Sequence, residues 1–199
     1  MKSVLFVLCF LYTPVFFQES HCDLKKNIDD IKVYTCKTEQ EKFKTLKAEF
    51  VLHNISTTVL ENYLLNVENY PSWQYNMVEA ELIQKIDENK ISYRSEVDAP
   101  WPVENREMFM YLTIKRDPTH QRLIIETENF ETSQPLKGGV VRVPFMHGVW
   151  TVINNGQDLQ VEYLLKIDPG GSVPAWLVNM AMAEGPYISF RNLKSQLEK

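Results

Sequence analysis

The apolar positions in the last quarter of the chain recur with a helical period. Trp176, Met180, Ala183, Tyr187, Phe190 and Leu197 follow one another at intervals of three, four or seven, and Leu177, Ala181 and Ile188 widen the same side. That spacing predicts a helix with one broad apolar face. Asp168-Pro169-Gly170-Gly171 precedes it and cannot prolong a strand, because proline has no amide to donate and the glycines favour a turn. Ser172 stands where it can cap a helix that begins near Pro174, proline being well suited to a first turn. Gly185-Pro186 interrupts the run. Pro186 removes the bond to the Met182 carbonyl and crowds it, so a kink or break is expected there, and the run reads as one helix with a soft middle.

Upstream the period changes to two. Segments 78–86, 91–97, 107–115, 122–130, 140–153 and 159–167 read as strands, parted by turn chemistry such as Asp87-Glu88-Asn89, Pro100-Trp101-Pro102, Asp117-Pro118 and Asn154-Asn155-Gly156. They predict six hairpin-connected strands of an antiparallel sheet. Residues 31–35 and 46–52 add two shorter strands, expected at an edge, and Leu60, Tyr63, Leu64 and Val67 share one face of a helix running from about 58 to 69. Trp73 and Tyr75 follow in a packed loop. Met108, Met110 and Leu112 alternate with Phe109 and Tyr111, so the sheet carries large apolar side chains on both faces. Two helices are too few to cover a broad sheet of that kind. The expected answer is an α+β fold whose sheet curls around the last helix and leaves an apolar cavity, a place for a water-insoluble ligand.

Residues 1–17 are mostly apolar and carry no charged side chain but Lys2, yet they are too short and too interrupted by Pro14 for a comfortable membrane span. We read 1–20 as a signal peptide, with an uncleaved anchor as the alternative, and 21–199 as a single domain. Localisation is then exported, either periplasmic or extracellular. Cys9 falls in the signal, leaving Cys22 and Cys36 either as a disulfide or as two thiols. The formal net charge is −5, and Lys and Arg are scattered, which argues against a nucleic-acid partner. The four histidines stand at 21, 53, 120 and 147 without metal-ligand spacing, and no nucleophile-elbow, phosphate-loop or dinucleotide fingerprint is present. No metal, cofactor or catalytic set is expected.

Pro100-Trp101-Pro102-Val103-Glu104-Asn105-Arg106-Glu107, then Gly139-Val140-Val141-Arg142-Val143, Gly148-Val149-Trp150 and Asp168-Pro169-Gly170-Gly171-Ser172-Val173-Pro174-Ala175-Trp176-Leu177-Val178-Asn179 resemble the START (StAR-related lipid transfer) domain family, in the family's order over roughly 31–197. The last motif is especially similar to members that carry phosphatidylcholine. The resemblance implies a helix-grip fold holding one lipid molecule in a tunnel under the C-terminal helix, with lipid binding and transfer between membranes as the activity. The implied partners are a phospholipid, sterol or fatty acid, and a membrane in transient contact with a monomer.

Ligand-binding candidates on that basis are Tyr93, Arg106, Met110, Leu112, Arg142, Phe145, His147, Trp150, Tyr163, Trp176 and Met180. Gly185 and Pro186 are the candidate hinge of a lid. Some family members place a charged pair inside the cavity; Tyr93 and Leu112 stand near those positions and are uncharged. A lipid-sensing adaptor is one alternative. Another is a cyclase or aromatase on the same fold, which would need an acid or base from His147, Tyr93, Glu126 or Glu162 pointing inward.

Overall fold

The structure, a computed structural model, describes residues 21–37, 45–173 and 175–199; of residues 175–177, 179–181 and 183 it describes the backbone alone. The segment 1–20, read as a signal peptide, lies outside the described residues. The described residues form ten strands, β1 (His21–Ile28), β2 (Ile31–Lys37), β3 (Thr45–His53), β4 (Met77–Lys85), β5 (Lys90–Val97), β6 (Asn105–Asp117), β7 (Arg122–Asn129), β8 (Val140–Arg142), β9 (Phe145–Asn154) and β10 (Asp158–Asp168). The helices are α1 (Thr57–Leu65) and α2 (Ala175–Leu197), with a 3-10 segment at Val67–Ser72.

One sheet contains all ten strands, in the order β1-β2-β3-β10-β9-β7-β6-β5-β4, and is not closed into a barrel; β8 pairs with β6 off this path. Its concave face and α2 enclose the core: Leu46, Phe50, Leu52, Leu112, Ile125, Val152, Leu159, Phe190 and Leu193 are all buried. α2 packs against β1, β2 and β3, so the helix lies over one wing of the sheet and faces the other wing across a gap. Phe190 fixes it there, stacked on Phe50 at 4.7 Å and edge-on to Trp150 at 5.4 Å.

Several sequence expectations are corrected. β3 is not an edge, since β10 pairs along its free side from Asp158 opposite His53 to Lys166 opposite Thr45. Segment 140–153 is two strands, because Pro144 interrupts it; β8 then runs parallel to β6, which no hairpin produces. The helix expected to 69 ends at Leu65 and gives way to the 3-10 segment with Pro71 inside. Its N-cap is Ser56, whose hydroxyl accepts from the Val59 amide.

β1 was not foreseen, and all of its residues but one are exposed. It turns into β2 at Asp29-Asp30, both with positive φ, the conformation of a tight hairpin matched to strand twist. The hairpin register sets Cys22 opposite Cys36, and the two form a disulfide. α2 continues through Gly185-Pro186 as one helix, so the expected interruption is not a break.

Candidate functional site

Between the concave face and α2 lies a cavity of about 210 Å³. Alternation along each strand decides what reaches it. β5 contributes Tyr93 and Val97, β6 Met108 and Leu112, β7 Ile125 and Thr127. β9 contributes Met146 and Trp150, and β10 contributes Tyr163, Leu165 and Ile167. Pro186, Ser189 and Phe190 of α2 form the roof, and Leu64, Tyr70, Trp73, Gln74 and Met77 close one side. No charged side chain lines it among the described residues.

The polar atoms at the wall are mostly hydroxyls. Tyr70 donates to the Leu64 carbonyl at 2.6 Å and meets the Tyr93 ring edge-on at 5.6 Å. Burial, reinforced by the neighbouring Tyr163, pushes the Tyr93 phenol up, and burial does the same to Tyr163. Both therefore remain protonated hydrogen-bond donors at any physiological pH. Gly148 sits beside them for a steric reason: a Cβ there would lie 2.6 Å from Thr127 Oγ1 and 3.1 Å from Tyr163 Oη. The missing side chain leaves both oxygens facing the same spot.

The candidates from sequence divide by face. Tyr93, Leu112, Trp150, Tyr163 and Pro186 line the cavity. Met110 is buried in the same core but is not part of the wall. Trp176 and Met180 have side chains outside the described set. Phe145 and His147 alternate with the inward Met146 and lie on the other face. Phe145 is about half exposed, and His147 Nε2 is 2.8 Å from Glu126 Oε1. Glu126 also accepts from Lys115 at 2.6 Å, and these partners, Lys115 before His147, hold its carboxyl below the usual range. Of the four acid or base candidates only Tyr93 faces the cavity, since Glu162 pairs with Lys47 at 2.8 Å on the opposite face.

Arg142 is likewise on the outer face. Its Nη2 donates to Glu107 Oε1 at 2.8 Å and its guanidinium covers the Phe109 ring at 5.0 Å. Glu107 in turn accepts from Arg94 Nε at 2.8 Å, and Arg94 reaches Glu79 and Glu96. Burial works to raise the Glu107 carboxyl, but bonds from Arg142 and Arg94 outweigh it and hold it below its ordinary value.

Arg106 stands at the end of the sheet and latches the connection before α2. It donates to the carbonyls of Pro169 and Gly170 at 3.3 Å each, and to that of Glu104. Burial draws its guanidinium below the ordinary value, opposed by Glu104. Gly170 has φ +65° and could bear no Cβ, which would meet Pro144 Cδ at 2.9 Å. The turn residues that end β10 thus also let the chain close on β8.

Gly185 and Pro186 occupy a roof position where a Gly185 Cβ would approach Tyr75 Cδ1 to 3.3 Å. Ser189 Oγ donates to the Gly185 carbonyl and accepts from the Tyr75 amide, both at 2.9 Å. Beyond this point α2 is anchored on two sides. Tyr187 donates to Asp29 at 2.8 Å, and Asn192 and Gln196 donate to the carbonyls of Trp73 and Ser72.

Sequence reasoning left Thr127, Ile125, Met146, Leu165 and Ile167 out of the wall. Period two from Trp150 already points to Met146 and away from His147; the β7 and β10 residues needed the pairing of strands as well.

In sequence the chain is 27% identical over 177 residues to an uncharacterized protein of Pseudomonas aeruginosa, covering 88% of this chain and 86% of that one. It is 28% identical over 141 residues to the phosphatidylcholine transfer protein of Mus musculus, covering 68% of this chain but less than two thirds, 64%, of the mouse protein. In structure it superposes on a STAR-related lipid transfer protein of Xanthomonas axonopodis with a TM-score of 0.80 at 26% identity, over 89% of this chain and 99% of that one. The sheet grips its C-terminal helix as in that protein, and the START domain model matches residues 20–195; the chain belongs to the START domain family.

Proposed function

We propose that this protein is an exported carrier that takes one lipid molecule into the cavity under α2 and transfers it between membranes without chemical change. Lipid binding is what membership of the family implies. The observation that carries the reading for this chain is an apolar wall without charged groups among the described residues. Such a wall rewards burial of hydrocarbon at about 0.8 kcal/mol per methylene. Of the acid or base candidates it presents Tyr93 alone among the described residues.

Loading requires an opening between α2 and the sheet. The C-terminal half of α2 is tied to Asp29 and to the 3-10 segment, so loading goes through the half before Gly185-Pro186.

Native mass spectrometry of the gently purified protein lacking residues 1–20, followed by organic extraction, tests the reading. A stoichiometric lipid adduct, together with exchange of that lipid between donor and acceptor vesicles, is the expected result. A protein that takes up no lipid from mixed vesicles refutes it, and bound lipid without exchange replaces the carrier with a sensor.

A further inference from the structure

We propose that β1 is a clasp on α2: Lys26, aimed inward from this strand, holds the half of the helix that opens for lipid, and the Cys22–Cys36 disulfide, by keeping β1 on the sheet, sets how readily the cavity opens. A dithiol reductant is then a switch from slow to fast lipid exchange. This rests on the carrier reading and adds regulation to it.

Lys26 is the one residue of β1 that is not exposed. Leu24 lies opposite Tyr34, whose hydroxyl donates to Glu49 on the outer face, and plain alternation would send Lys26 to that face as well. The register shift between Leu24 and Lys26 prevents this. With Lys25 as the extra residue, Lys26 falls opposite Val33, which is wholly buried in the core, the re-aiming that a bulge performs. Its ammonium pairs there with Glu184 and stands 5.0 Å from the centre of the Tyr187 ring. The two contacts lie on either side of Gly185-Pro186. Tyr187 also donates to Asp29 at 2.8 Å, so the turn of the hairpin fixes the pivot and Lys26 holds the moving arm. Among the described residues no other ion pair or side-chain hydrogen bond reaches α2 before Gly185.

β1 has little else to hold it. Leu24 and Ile28 remain about half exposed, so the strand buries almost no apolar surface, and an edge strand of that kind frays from the open end of its hairpin. Cys22 stands at that end, and its bond to Cys36 closes it. Fraying without the bond reaches Lys26 before it reaches Asp29 in the turn, which releases the arm while the pivot is still in place. Cys22 is exposed whereas Cys36 is buried, so a dithiol enters from the Cys22 side. Its first thiolate bonds to the Cys22 sulfur and expels Cys36 as a thiolate, and its second then displaces Cys22. The reductant leaves as a disulfide after passing two electrons and two protons to the pair.

The test uses the protein lacking residues 1–20, oxidised or treated with dithiothreitol, with and without Lys26→Met. It follows amide hydrogen exchange, and lipid transfer from isotope-labelled donor vesicles of phospholipid, sterol and fatty acid to unlabelled acceptors. Reduction should speed exchange of the amides of 178–184 by about tenfold or more, leave β7 and β9 unchanged, and speed transfer in the same sense. Lys26→Met should give up to about fivefold in the oxidised protein, the weight of a partly exposed ion pair. It should add nothing in the reduced protein, because both changes remove the same contact. Unchanged α2 exchange on reduction overturns the clasp, as does uniform acceleration that includes β7 and β9, which is general destabilisation. Additive effects of the two changes overturn the route through Lys26, and faster α2 exchange with transfer present but unaltered overturns the control of the cavity. Transfer by none of the samples refutes the carrier reading instead, and the α2 amides then decide the clasp alone.

Discussion

Gly148→Ala examines the cavity floor by adding a single methyl group. The new Cβ would lie 2.6 Å from Thr127 Oγ1, far inside van der Waals contact, and 3.1 Å from Tyr163 Oη. Thr127 is directly opposite on β7, and its branched side chain has few alternative rotamers on a strand. Tyr163 is wedged by Trp150 at 5.0 Å and Phe190 at 5.4 Å. Overpacking of this kind costs about 1–3 kcal/mol. Replacing glycine in a strand returns about 0.5–1 kcal/mol of chain entropy, so the expected net loss is about 1–2 kcal/mol. Urea unfolding followed by tryptophan fluorescence should show a lower midpoint at unchanged slope. Adding Thr127→Ala removes the 2.6 Å contact and should return most of the loss. A single variant as stable as the parent, or a double variant no better than the single one, would refute this account of why residue 148 is glycine.

Glu107→Gln should destabilise the fold by about 3 kcal/mol, the low end for breaking a buried ion pair, because Arg94 keeps Glu79 and Glu96; a loss under 1 kcal/mol in urea would contradict it. The same carboxyl sets an acid limit. Its folded value is lowered, so its contribution is present above the unfolded value of about 4.3 and is lost as pH falls through the folded value. Acid unfolding monitored by near-ultraviolet circular dichroism should lose part of its steepness below about pH 4.3 in Glu107→Gln, and an unchanged curve would remove Glu107 as its source. Reduction of Cys22–Cys36, which closes a loop with a separation of 14, should cost about 3 kcal/mol on loop-entropy grounds; two free thiols by titration before reduction would reject the bond. Pro186→Ala restores an amide to the helix, so lipid exchange between vesicles should be slower or unchanged, and faster exchange would count against a hinge at this position.

The parts of the fold that depend on local chemistry were legible in the sequence, and those that depend on pairing were not. Turn residues such as Asp117-Pro118 and Asn154-Asn155-Gly156 marked strand ends to within a residue or two. β1 offered no signal, because a strand whose residues from His21 to Lys25 are all exposed has no amphipathic period to read. The split at Pro144 was available in principle, since proline in a long strand is a warning. The two-sided apolarity of β6 was read as a sign of a cavity, and half of it is one: Met108 and Leu112 face the cavity. Phe109 is instead covered on the outer face by Phe130 and Arg142. For the site, residue type misled where face decided. Arginine and histidine suggested head-group contacts, yet Arg142 and His147 pair with Glu107 and Glu126 behind the sheet.

The place of β10 in the sheet governs how the chain comes together. β3 and β9 are joined only through it: residues 45–53 must wait for residues 158–168, more than a hundred positions later, before their second edge is covered. Without β10 the pairing falls into two separate sets, β1-β2-β3 and the strands from β4 to β9, each with an unpaired edge open to the wrong neighbour. Closure over so long a loop is slow compared with hairpin formation. Assembly of the sheet is therefore completed only when β10 is inserted, and α2, whose partners Asp29, Ser72 and Trp73 lie on both sides of that seam, can settle only afterwards. Truncation before Asp158 should give insoluble chains and not a smaller folded unit.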